Sequence, residues 1–322
     1  MFQEQLLHHL QNSLAKNESL IDAVAIALEI SYDAAHRRVS LKSKFSLSES
    51  ILLAKYYNLS LDRLFETTDA NFITVEKTKN ISSEEELTIY LEESYESLIQ
   101  MLNRKDCSII YSAKDIPLFY TISGNVLSNF KMYVWLKLLD PKFKNKNFED
   151  FTPSISLSNA GKQLGNLYNN INTVEIWDIT TINSTLKQIH YYFKAGQIIT
   201  ETALEICVEL KQLILNLADK LNNKEAQFSV YYNELHLMNN HVMVSTPNSQ
   251  IMYIPFTLLS YYKTTDKLTC NQASIFMDKL LTESKLLNTV GEKERNIFIN
   301  RMIKKIDALH QIIKATDILD FE

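Results

Sequence analysis

Apolar residues recur at helical spacing through the run SLIDAVAIALEISYDAAHRRV, Ser19 to Val39, and the pattern breaks once, at Glu29 and Ile30. Leu20, Val24 and Ile26 to Leu28 give the first stretch an apolar side, and Ala25 and Ala27 are small enough for a close helix crossing. Ser31 is a good N-cap, so the spacing predicts a second helix from Tyr32 to about Val39. In that helix Ala34, Ala35 and Val39 fall on the packed side, while Tyr32, Asp33, His36 and Arg37 point outward. Ser46 with Glu49 forms a capping-box signature for a further helix, and Ser60 can cap the short LDRLF segment. Two helices joined by a tight turn, the second with a hydrogen-bonding outer face, suit entry into the major groove.

Beyond this region the chain is polar and helix-poor from Glu66 to Ser83, apart from Phe72, Ile73 and Val75, which can add a short strand. Leu87, Leu91, Tyr95, Leu98 and Leu102 then recur at helical spacing behind a Ser-Glu cap. SIIYSA reads as a short strand or buried extended piece, and VLSNFKMYVWLKLLD as a helix that Pro141 ends. Residues 143 to 153 read as an exposed loop. Helices are expected over SNAGKQLGNLYNNI, STLKQIHYYFKAG and TETALEICVELKQLILNLADKLNN. Between Phe228 and Ile254 the pattern alternates: FSVYYNELHLMNNHVMVS reads as a hairpin turning at Asn239-Asn240, with Leu235, Leu237, Val242 and Val244 on one face and QIMYIPF as a third strand. Helix returns in ASIFMDKLLTESKLL and RNIFINRMIKKIDALHQII. The expected fold is therefore mainly α: a helix-turn-helix bundle (1–66), a linker (67–83), and a larger helical domain (84–322) with a small antiparallel sheet near 228–254.

The runs ISYDAAHRRV and FSLSESILLAKYYNLSLDRLF resemble the N-terminal DNA-binding module of bacterial helix-turn-helix regulators of the BetR and Xre-like kind, over roughly the first seventy residues. The resemblance implies that Tyr32, His36, Arg37 and Arg38 lie in the DNA-facing helix, with Lys42 and Lys44 on phosphates. Ser31 and Asp33 complete the set expected to meet DNA. Many such motifs carry Gly where this chain has Glu29, and a non-Gly residue held at positive φ costs on the order of 1 kcal/mol. YSAKDIPLFY, FKMYVWLKLL, YYNEL and GEKERNIFINRMIKKI are similar to the long C-terminal region of some of these regulators, which implies the two-part architecture and no particular chemistry.

Charge narrows this reading. The 322 residues carry a net charge of -5, and acidic residues outnumber basic ones in the first seventy, so nonspecific coating of nucleic acid is not expected. Positive charge concentrates between Arg37 and Lys44, enough for a few phosphates per monomer, and a dimer reading two half-sites would add affinity. With 5 Gly, a glycine-rich phosphate cradle is not expected, and no nucleophile elbow, Walker loop or zinc-protease helix is present. The three cysteines, Cys107, Cys207 and Cys270, are far apart and fit a reducing cytoplasm as buried small hydrophobes. The apolar windows are short and interrupted by charge, so neither a signal peptide nor a membrane span is expected.

Three polar groupings read more simply as structure than as chemistry. In the expected hairpin register Glu234, His236, His241 and Ser245 share a face that can hold zinc, although a solvated hairpin face accounts for them without a metal. Lys114, Asp115 and Pro117 read as a turn with a salt bridge. Lys293, Arg295, Arg301, Lys304 and Lys305 read as the solvated side of a packed helix. The sequence thus points to a cytoplasmic transcriptional regulator, not an enzyme, with no cofactor. Its partners would be double-stranded DNA and a second copy of itself, and the C-terminal domain would dimerise, sense a small molecule or dock a protein. The alternative is a protein-interaction scaffold whose helix-turn-helix does not bind DNA.

Overall fold

Alternating segments in the second part of the chain build one large sheet, not the small hairpin expected from sequence. A computed structural model describes residues 2–15, 18–65, 73–102, 107–222, 228–235, 238–288 and 292–318. The chain divides into two compact units, Met1–Thr74 and Val75–Glu322. The first holds α1 (Phe2–Ser13), α2 (Leu20–Leu28), α3 (Tyr32–Val39), α4 (Leu47–Tyr56) and α5 (Leu61–Phe65). Leu6, Leu7, Leu10, Val24, Ala35 and Leu53 form its core.

In the second unit the described strands are β1 (Glu76–Lys77), β2 (Ser108–Ser112), β3 (Asn172–Trp177), β4 (Phe228–Tyr232), β5 (His241–Thr246), β6 (Ser249–Thr257), β7 (Ser260–Thr264) and β8 (Lys285–Leu286). They form a single mixed sheet in the order β1-β7-β6-β5-β2-β3-β4-β8. β2, β3 and β4 are parallel neighbours, and β5 to β7 continue from β2 as an antiparallel meander. Parallel neighbours need long crossovers. Here α7 (Val126–Leu139) and α8 (Ile155–Tyr168) join β2 to β3, and α9 (Asn183–Lys194) and α10 (Thr200–Asn222) join β3 to β4. α6 (Glu84–Leu102), α11 (Lys267–Thr282) and α12 (Glu292–Ile318) complete the described α-helices.

The expected β4–β5 hairpin does not form, because β2 and β3 lie between those strands. The Asn239-Asn240 pair instead ties down the end of β2: Asn239 O accepts from Ser112 Oγ (3.0 Å), and Asn240 Oδ1 accepts from Asp115 N (2.9 Å). Leu235, expected to share a face with Val242 and Val244, is 81% exposed, and Leu237 lies outside the described residues. The tight turns lie one strand later, at Pro247-Asn248 and at Leu258-Leu259, where Leu259 has φ 57°. Residues 143 to 153 are also not the exposed loop their polarity suggests. Phe143, Phe148 and Phe151 are buried, and Phe148 and Phe151 pack against Tyr133. α7 is buried almost all round and forms the middle of the unit, as expected of a helix apolar on every side.

Candidate nucleic-acid interface

The turn between α2 and α3 is set by capping at both ends. Glu29 sits in the left-handed region (φ 53°, ψ 42°), which lets its own N–H and that of Ile30 close back on Ile26 O and Ala25 O. On the far side Ser31 is extended, and its hydroxyl accepts from Ala34 N at 3.3 Å. The turn thus takes the shape a glycine would take, with glutamate in the strained position. Glu29→Gly is expected to stabilise the chain by up to about 1 kcal/mol, read as a higher urea midpoint. A lower midpoint would show that the glutamate makes an offsetting contact.

Ala35 is fully buried in the crossing with α2, which turns the opposite side of α3 outward. Tyr32, Asp33, His36 and Arg37 are all exposed there, and Ser31, Lys42 and Lys44 are exposed beside them. Arg38 stands apart. Its guanidinium donates to Ala34 O (3.1 Å) and pairs with Glu49 of the α4 capping box at 2.6 Å. Burial works against the Glu49 carboxylate, but hydrogen bonds from Ser46 and Arg38 outweigh it and hold its pKa below the usual range. Arg38 therefore braces α3 against α4. The loop that follows is held from α1, where Gln3 donates to Arg38 O and Ser43 O (2.8 and 2.9 Å) and accepts from Phe45 N (3.1 Å). This three-way clamp fixes the segment carrying Lys42 and Lys44.

The second unit contains a polar centre that the sequence reading missed. Glu175 on β3 is fully buried and accepts from three side chains: Tyr120 Oη at 2.8 Å, and Tyr168 Oη and Trp177 Nε1 at 2.7 Å. Gly161 and Gly165 on α8 allow the segment carrying Tyr120 to come close, since a Cβ at either would meet Ile122 O or Phe119 O at 2.9 and 3.0 Å. Burial pushes the Glu175 pKa up, although the three donors and Lys220 oppose the shift. The lone glutamate in NTVEIW was the available signal.

The other sequence-flagged polar residues do not converge on one centre. Lys114 pairs with Asp178 at 3.5 Å. Arg301 and Lys305 of α12 are not simply solvated, since they donate to Tyr232 Oη (3.4 Å) and Asn183 Oδ1 (3.0 Å). The β4–β5 register that would gather Glu234, His241 and Ser245 is absent, and His236 lies outside the described residues. Glu234 pairs with Lys285 at 3.2 Å, and the His241 ring contacts Asn239 O. Among the described residues no three His, Cys, Asp or Glu side chains are grouped to hold a metal ion, and no helix is long and apolar enough to cross a membrane. No protein-family model, curated protein or solved structure matches the chain.

Proposed function

We propose that the chain is a sequence-specific DNA-binding transcriptional regulator, with α3 entering the major groove and the second unit serving dimerisation or the sensing of a ligand. The observation that supports this reading is the outward stripe Tyr32, Asp33, His36 and Arg37 on a helix braced from two sides, by Arg38–Glu49 and by the Gln3 clamp. Arg37 is assigned to a base edge, because its planar fork matches guanine O6 and N7. Lys42 and Lys44 are assigned to phosphates, and Arg38 to holding the helix in place.

Arg37→Ala is expected to weaken binding to a selected site by about 1–3 kcal/mol with the fold intact, whereas Lys42→Ala or Lys44→Ala should each lower the salt slope by about 1. Fluorescence anisotropy against salt concentration measures both. Unchanged affinity in Arg37→Ala would remove its assignment. The acidic balance of the first unit favours a second reading, a protein-interaction adaptor, which absence of DNA retention at low salt together with a specific protein partner would support.

A further inference from the structure

The second unit has a cavity of about 450 Å³ between α6 and the sheet. Strand pairing brings its floor together: Ile109 lies beside Val244, Tyr111 beside Val242, and Val242 beside Tyr253, all on one face of β2, β5 and β6. The cavity exists because of what α6 places opposite. Leu87 and Leu91 of that helix are buried in the core, whereas Tyr90, Ser94, Ser97 and Leu98 line the space. Two serines stand where close packing would call for large side chains, and interiors are otherwise packed with few voids larger than water.

Four phenols face this space, and the charged groups that line it balance. Tyr90, Tyr111, Tyr253 and Tyr261 all line it, and Ser94 Oγ donates to the Tyr90 backbone carbonyl at 2.7 Å. Burial raises the pKa of all four phenols, so each presents a neutral hydroxyl. The ionisable lining residues are Glu76, Glu86 and Glu93 against Lys77, Lys79 and Lys263, a net charge of zero (3 − 3). Lys79 pairs with Glu93, Lys263 with Glu76 (3.6 Å), and Lys77 lies over the Phe256 ring (4.9 Å). The lining offers no net counter-charge to an ion and two of its three lysines are already paired, whereas an apolar body with a hydroxyl or carbonyl would find both aliphatic walls and phenol donors. An apolar cavity of this size with a few convergent polar groups is the usual form of a small-molecule site.

We infer that this cavity is a binding site for an uncharged, largely apolar small molecule bearing a hydrogen-bonding oxygen, with Tyr90, Tyr111, Tyr253 and Tyr261 as its polar contacts. The inference stands independently of whether α3 reads DNA.

Titrating the full chain with Nile red, a neutral planar dye, tests it by fluorescence. Saturable one-to-one binding is expected, displaced by 1-decanol and at least about tenfold less effectively by decanoate, the charged analogue of the same length. Val242→Trp, which places an indole in the cavity, should weaken dye binding by about tenfold or more with the circular dichroism unchanged. Tyr261→Phe, which removes one hydroxyl and little volume, should weaken decanol binding by about fivefold, and it decides the matter alone if Val242→Trp fails to fold. Non-saturable dye uptake, equal binding by folded Val242→Trp, or unchanged decanol affinity in Tyr261→Phe would overturn the site. Equal displacement by decanoate would overturn the neutral class of ligand.

Discussion

Glu175→Ala is expected to lower the stability of the chain by about 3–5 kcal/mol, more than any other substitution considered for this protein. The alanine leaves Tyr120, Tyr168 and Trp177 with buried donors and no acceptor, and it opens a void where the buried carboxylate stood. Glu175→Gln separates the two effects. It keeps the volume, but an amide has one acceptor oxygen, so at least one donor meets an N–H₂ group instead of an oxygen. A loss of about 1–3 kcal/mol is expected for that variant. Urea denaturation followed by tryptophan fluorescence is suitable, since Trp177 is itself one of the three donors. A loss below about 1 kcal/mol for Glu175→Ala would mean that the three donors find other partners.

Lys131 produces the second large effect, and it depends on pH. The residue lies in α7, nearly buried, with its ammonium held by Gln188 Oε1 (2.7 Å) and Thr185 Oγ1 (3.4 Å). Burial lowers its pKa to about 8 against an ordinary 10.5, with Asp115 opposing. The folded state therefore binds this proton less tightly than the unfolded state does. Below pH 8 both states are protonated, and the full cost of the buried charge is present. As pH rises from about 8 to 10.5 the folded state sheds the proton first, and the cost, on the order of 3 kcal/mol, is relieved. Lys131→Met removes the charge at every pH. It should be more stable than wild type by about 1–3 kcal/mol at pH 7, with the difference shrinking above pH 8. Urea midpoints of both proteins from pH 7 to pH 10 measure it. A difference that stays flat across that range would place the pH dependence elsewhere.

The first unit was legible because its signals are local. A hydroxyl one residue before a helix, a glutamate three residues after Ser46, and alanines at a crossing each act within one turn of chain, and each has its counterpart in the structure. The sheet was not legible because its pairings are distant. β2 and β4 meet β3 across crossovers of two helices each, so nothing local to a strand names its neighbour. FSVYY and HVMVS do alternate, but alternation reports a strand and not its neighbour, so sequence proximity suggested a hairpin that the topology refuses. Residues 143 to 153 misled in the opposite direction, because three phenylalanines at irregular spacing leave no periodic trace while still packing on Tyr133 and one another. Helix position put Arg37 and not Arg38 on the outward side, but the partner that holds Arg38 is Glu49, eleven residues on, which no local pattern names.

Selection from a random duplex DNA library at low salt, with wild type and Arg37→Ala in parallel, tests the DNA-reading assignment most directly. Enrichment by wild type of a sequence with two half-sites about one helical turn or a multiple of it apart, lost in Arg37→Ala, is the expected result. Folded wild-type protein that enriches no sequence, or a variant that enriches the same one, would contradict the account.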